Sequence, residues 1–300
     1  VHDFVLLASC TALHAYPALA GDTCAQIGAR RQTQERSWPM SVTTLVERVA
    51  RVPGVKAVTL GGSRARGMAR PDSDWDFGLY YRGSIDTDAI RELGYPGQVV
   101  EPGTWGRIVN GGAWLDVDGE RVDLLYRDLD VVEHWISESN AGRFEIDFVG
   151  GHIAGLPTYT LAGELALGTV LRGNVPRPTF TPELRRAAPP RWDGEAAFSL
   201  LVAETHAKRG EATGVAGLLA RAVLASAHAR LASRGAWALN EKGIIARAGL
   251  EEAGEILTAV GWTPRRLEDS ITRMRDVLRL VRPAGLQFDA VVRERDTTIS

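Results

Sequence analysis

A strand that ends in two glycines, followed a dozen residues later by two aspartates spaced two apart, constrains this chain more than any other feature. Lys56 to Leu60 reads as a short strand, Gly61-Gly62 as a turn and Ser63 onward as a short helix. A helix N-terminus offers N–H groups without intrahelical acceptors and the positive end of the helix dipole. Glycine lets the backbone approach a phosphate closely. After the turn Pro71-Asp72-Ser73, a second strand runs from Asp74 to Tyr81. Strand side chains alternate, so Asp74 and Asp76 share a face. Neighbouring carboxylates repel unless a cation neutralises them or one keeps its proton. Oxygen ligands suit Mg²⁺, which binds through few carboxylates together with substrate phosphates. A phosphate cradle and a carboxylate pair joined by one short helix predict a site for a nucleoside triphosphate and Mg²⁺.

Three other glycine-turn chemistries fail on spelling. A P-loop needs Lys and a hydroxyl residue after its last glycine; here Met68 and Ala69 follow Gly67. The dinucleotide fingerprint does not fit either. A nucleophile elbow needs G-x-S-x-G in a strand–turn–helix setting. Gly61 and Ser63 come near it, but Ala65 stands at the last glycine. None of His134, His152, His206 and His228 has the setting of a triad base.

Gly62-Ser63, ten residues, then Asp74-x-Asp76 resembles the signature of the DNA polymerase β-type nucleotidyltransferase superfamily. The likeness covers residues 55 to 127 and is nearest to small bacterial members. These include the kanamycin- and lincosamide-type antibiotic nucleotidyltransferases and the minimal enzymes that pair with helical partners. The resemblance implies a small mixed sheet, two Mg²⁺ ions and a third carboxylate on a later strand. Arg121-Val122-Asp123-Leu124-Leu125-Tyr126 supplies that carboxylate as Asp123, with Asp116 as second choice and Asp118 assigned to an Asp-Gly turn. By the same resemblance Asp74 and Asp76 hold both ions, and Asp123 ligates the catalytic one and takes the acceptor proton. Gly62, Ser63 and Arg66 form the phosphate-contacting set, with Arg64 and Arg70 as competing counter-charges. Nucleoside triphosphate, with ATP expected, is the donor.

Elsewhere the chain divides in two. Ser41 is placed to cap a helix running to Val52, with Leu45, Val46 and Val49 on one face. Asp86 to Leu93 reads as a helix, and Asp118-Gly119 as a hairpin turn between Ala113–Val117 and Arg121–Tyr126. Asp128 caps a helix to about Glu138. From Thr160 the pattern turns helical: Thr160 to Leu171, a Pro-rich linker from Pro176 to Pro190, then Phe198 to Arg209, Val215 to Arg234, Leu250 to Val260 and Pro264 to Val281. The expected architecture is an α/β nucleotidyltransferase unit over 40–150, followed by a helical bundle over 151–300. Residues 1–39 are expected to be an extension upstream of a native start at Met40. Phe4 to Ala20 and Leu7-Ala8-Ser9-Cys10 resemble export signals, but no positive n-region precedes them.

Net charge is −2, whereas a grip on long nucleic acid calls for a strongly basic surface. Positive charge is nearly all Arg, with lysine only at Lys56, Lys208 and Lys242. Both cysteines, Cys10 and Cys24, lie in the first 39 residues, so no cysteine framework serves the rest. No apolar run approaches the ~20 residues of a bilayer span. The expected setting is cytoplasmic, and an oligomer is compatible with the sequence. The expected acceptor is a hydroxyl of a small molecule, possible antibiotics included, or of a partner protein. Glu204, Glu211 and Glu241 are candidates for an acceptor site, Glu204 also as a general base. Lys242 is in reach of a phosphate if Asn240 does not merely cap a helix. Arg221 and His228, seven apart on one helix, are spaced as in helical toxin ribonucleases, although a buried histidine is the more ordinary reading. A binding module that kept the fold is the third alternative.

Overall fold

The computed structural model describes residues 38–280. The expectations about the start at Met40, the export-like segment and the two cysteines fall wholly or largely outside them. Within that range the chain forms an α/β unit followed by a helical one. The first unit contains α1 (Met40–Val49), β1 (Val55–Leu60), α2 (Gly62–Ala65), β2 (Trp75–Tyr81), α3 (Thr87–Arg91), β3 (Gly97–Val99), β4 (Gly112–Val117), β5 (Glu120–Asp128) and α4 (Leu129–Asn140). Then come β6 (Ile146–Asp147), β7 (Leu156–Pro157), α5 (Thr160–Leu167) and β8 (Thr169–Gly173). The helical unit contains α6 (Pro182–Lys208), α7 (Ala212–Ser233), α8 (Ile244–Ala248), α9 (Glu251–Thr258) and α10 (Pro264–Leu278).

The sheet runs β3-β4-β5-β2-β1-β8. It is mixed because β2 and β5 are parallel while the other pairs are antiparallel. Alternation gives it two unlike faces. Trp75, Phe77 and Leu79 of β2, Val122 and Leu124 of β5 and Ala113 and Leu115 of β4 point backwards. There they bury against Val42, Leu45, Val46 and Val49 of α1. The front face is half covered: Ala57 and Tyr80 pack under Leu129 and Val132 of α4 and Leu161 and Leu165 of α5. The uncovered half carries Asp76 and Asp123. Asp118 (φ 55) and Gly119 (φ 86) make the tight turn between β4 and β5, as the Asp-Gly spelling predicts.

Four expectations are corrected. Ser41 is not the N-cap of α1: Pro39 holds that place, and its carbonyl accepts from Thr43 Oγ1. The apolar run from Thr160 does not stay helical to Leu171. It leaves the helix at Gly168 and becomes β8, which pairs with β1. A boundary at residue 150 therefore cuts off a strand of the first sheet. Pro182 to Pro190 is not a linker but the first third of a 27-residue helix, capped by Thr181, with Pro189 and Pro190 inside it. Each proline removes an N–H that would reach the carbonyl four residues back, at a cost of about 3 kcal/mol. Burial of Leu184, Ala188, Trp192, Ala196 and Leu200 against α7 opposes that cost. Finally, α7 is long and apolar enough to cross a bilayer, but most of it is buried as the core helix of the second unit.

Candidate active site

The front face is organised around one row of the sheet. Asp76 of β2 lies directly beside Asp123 of β5, so both carboxylates project from adjacent strands to one side. Burial, and then the charge of Asp74, raises the Asp76 carboxyl above its ordinary range. Asp123 is pushed up to about 6, first by burial and then by Asp76 and Asp74. Lys242 counters both shifts, with Arg66 also acting on Asp76 and Arg121 on Asp123. Two half-desolvated carboxylates in register are a costly arrangement that a cation relieves.

The glycine turn stands over this pair. Gly61 N–H donates to the Asp76 carbonyl at 2.7 Å. Gly62 adopts φ +59, and a Cβ there would fall 1.8 Å from Asp76 Oδ2. Only glycine fits, because the turn presses its backbone against the carboxylate. The helix that follows is a single turn, so its dipole is weak. Its contribution is the N–H groups of Gly62 and Ser63, which have no intrahelical acceptor.

The three nearby arginines have different tasks. Arg64 donates to the carbonyls of Ser73 (2.6 Å) and Asp74 (3.2 Å), and its guanidinium sits 3.9 Å from the Trp75 ring. It fastens the start of β2. Arg66 is exposed and lines both clefts beside the glycine turn, and Arg70 lines the larger one. The structure thus ranks Arg66 first for a polyanion, with Arg64 occupied elsewhere. Asp74 is held by Arg121, whose Nε lies 2.7 Å from Oδ1. The approach is off a hydrogen-bond direction, and that buried oxygen has no hydrogen-bond partner. Among the described residues, no three carboxylate, imidazole or thiol side chains stand gathered as a ready ligand set. The donor chemistry still fits Mg²⁺: a facing carboxylate pair and room for phosphate, since this ion takes few protein ligands.

Two clefts that share Arg66, Leu167 and Asn240 open here. The smaller, about 130 Å³, lies between the glycine turn, Asp76, Glu164 and Asn240. The larger, about 910 Å³, runs from Ser63, Arg66 and Arg70 to Trp237, Lys242 and Arg247. Its far wall is the Trp237–Gly243 loop. That loop approaches because α5 has Gly163 where a Cβ would fall 2.8 Å from Leu239 and 3.0 Å from Trp237. Glu241 anchors it by accepting from the N–H groups of Ile153 (2.8 Å) and Ala154 (2.6 Å). Asn240 does cap the turn, accepting from Lys242 N–H at 3.0 Å, and the Lys242 charge acts on the Asp76 and Asp123 carboxyls.

The remaining candidates stand apart from the clefts. Glu204 pairs with Arg275 across α6 and α10, and Glu211 with His206. Asp116 accepts from Gly119 N–H and is a turn residue. Arg221 bonds Ser199 and Glu195. His228 is buried and stacked on Trp192, with ring centroids 4.3 Å apart. Burial pushes its imidazole down to about 3, so it stays neutral. Sequence reasoning missed Glu164, a lone charge inside the apolar run Leu161 to Leu167. That placement was a usable signal, since a lone charge within an apolar run calls for a partner. Its partner is Arg127, which donates to both carboxylate oxygens at 2.6 and 2.7 Å.

Residues 42–134 match the family model of the nucleotidyltransferase domain. This stretch is a nucleotidyltransferase domain of the polymerase β type, and the enzyme it marks is a nucleotidyltransferase. A nucleotidyltransferase-like protein from Exiguobacterium sibiricum 255-15 is similar at 13% identity and a TM-score of 0.38, over 80% of this chain and 73% of that one. A likeness at that level carries no functional argument. No curated protein matches the sequence.

Proposed function

We propose that this protein transfers a nucleoside monophosphate, AMP from ATP, to a hydroxyl of a small molecule and releases pyrophosphate. The observation that carries the reading is the in-register pair Asp76 and Asp123 beside the Gly62-Ser63 turn, with Ser63, Arg66 and Lys242 lining a 910 Å³ cleft and the Lys242 charge acting on both carboxyls. The triphosphate lies along the basic side of that cleft, on the N–H groups of Gly62 and Ser63, with Arg66 and Lys242 as counter-charges. The acceptor oxygen forms its bond to the α-phosphorus, the bond from that phosphorus to the bridging oxygen breaks, and pyrophosphate leaves. Asp123 takes the acceptor proton, a role suited to a carboxyl pushed up to about 6. Asp74, Asp76 and Asp123 would hold Mg²⁺, which when bound supplies charge stabilisation to attacking and leaving oxygens. The net charge of −2 supports a compact acceptor over long nucleic acid. We place the reaction in the cytoplasm, where the triphosphate is available.

The test is incubation with α-labelled ATP, GTP, CTP and UTP, Mg²⁺ and a panel of aminoglycosides and lincosamides. Label on a small molecule, lost in Asp76→Asn, is the expected result. Label on a protein band would replace this reading with a protein-modifying one. Transfer retained in Asp76→Asn would sink the site assignment.

A further inference from the structure

The row that holds the two carboxylates does not end at Asp123. Trp114 of β4 is the cross-strand partner of Asp123, and Gln98 of β3 is the partner of Trp114. Paired residues project to one face, so Gln98, Trp114, Asp123 and Asp76 form a continuous line. Trp114 is 45% exposed, whereas Phe77, Leu79, Leu115 and Leu124 are buried on the back face. It does not stand alone. The ring of Trp105, carried by the 101–110 loop, lies 4.6 Å from it by centroids at a tilt of 35°. Gly112 makes that contact feasible, because a Cβ there would fall 2.9 Å from two atoms of the Trp105 ring. Two indoles are thus seated side by side next to Asp123, on the side away from the glycine turn.

Position decides what they serve. The groups suited to a polyanion, Gly62, Ser63, Arg66 and Lys242, all lie on the β2 side of the row. The indole pair carries no charge and lies one strand beyond the proton-accepting carboxylate. We infer that Trp114 and Trp105 form the acceptor subsite and that the acceptor is a hydroxylated ring whose flat face stacks on the indoles while its hydroxyl points at Asp123. The inference rests on the transfer reading and narrows it from any small hydroxyl compound to a ring-bearing one. Flexible polyols and open-chain amino alcohols offer no face for the indoles.

Binding tests it separately from turnover. The full chain, with Mg²⁺ and a non-hydrolysable ATP analogue, is titrated with lincomycin and kanamycin A as ring probes and with sorbitol as an open-chain polyol. At least one ring probe should bind while sorbitol does not. Trp114→Ala should weaken that probe about tenfold and Trp114→Phe about twofold or less, in line with the size of an aromatic contact. Affinity for the ATP analogue should stay within twofold. Failure of every ring probe to bind, equal binding by Trp114→Ala, or a loss that falls on the ATP analogue instead would overturn the inference. The transfer reading stands or falls on label transfer and its dependence on Asp76, so the two can fail independently.

Discussion

Burial displaces titratable side chains from their ordinary protonation in both units, and the carboxylates of one contrast with a histidine of the other. In the α/β unit, Asp76 and Asp123 are raised; Asp76 lines a cleft with the glycine turn, and the charge of Lys242 acts on both. In the helical unit His228 is lowered, and it faces a tryptophan ring, with both ring nitrogens lacking hydrogen-bond partners. A perturbed group is a functional candidate only when something can reach it. The carboxylates are perturbed and accessible. The histidine is perturbed because it is inaccessible, so its neutral ring acts as a flat packing surface. The Arg–His spacing along α7 therefore describes a helix face in the core, with Arg221 turned to Glu195 and His228 to Trp192.

Asp123→Asn is the largest test of this contrast. It should reduce transfer by at least about a thousandfold, as removal of a proton acceptor and charge ligand together does. The same variant should be more stable than the parent, since the native fold disfavours the Asp123 carboxylate. A carboxyl with a raised native pKa loses stability as pH climbs from its unfolded value through the native one. The gain should therefore be absent near pH 4 and complete above pH 6, worth roughly 2–4 °C in melting temperature at neutral pH. Paired melts at pH 4 and pH 8 decide it; a variant less stable at pH 8 would mean that Asp123 is a structural residue.

Much of this site was readable from the sequence because its parts are local. A strand, a two-glycine turn and a D-x-D strand start fix Gly62, Asp74 and Asp76 within fifteen residues, and the Asp-Gly hairpin fixes the register of β5. What could not be read is non-local. Thr169 to Gly173 looks helical by composition and becomes a strand because β1 has a free edge there. Pro189 and Pro190 look like a break and are held in a helix by packing that spelling does not encode. Lys242, Glu164 and Trp114 reach the site only through the approach of a distant loop, a buried ion pair and a sheet register.

His228→Phe probes the other half of the contrast, with a smaller expected effect. Phenylalanine keeps the stack on Trp192 and removes two unpaired nitrogens. A histidine with a depressed native pKa loses stability as pH falls below its unfolded value, here from about 6.5 down to about 3. The variant should be more stable than the parent at pH 7, and by about 2 kcal/mol more at pH 5. Urea melts at the two values measure this, and transfer should be unchanged. A variant that melts earlier at both would mean that the imidazole has a role the packing does not account for.

The smallest effect, and the most specific, belongs to Lys242→Gln. Lys242 is exposed, so its loss should not affect folding. Its charge lowers the carboxyls of Asp76 and Asp123. Removing it should let the Asp123 carboxyl, already near 6, rise further, which carboxyl NMR titration of metal-free protein can follow. If the same ammonium binds the donor phosphates, KM for the triphosphate should rise about tenfold with kcat changed less, the pattern of lost ground-state binding. Arginine at 242 should restore the titration, because the charge returns. It should restore KM only in part, because the planar guanidinium does not reproduce a point charge. A titration that moves while KM stays fixed would place Lys242 near the carboxylates but off the triphosphate, and would shift the donor towards Arg66 and Arg70.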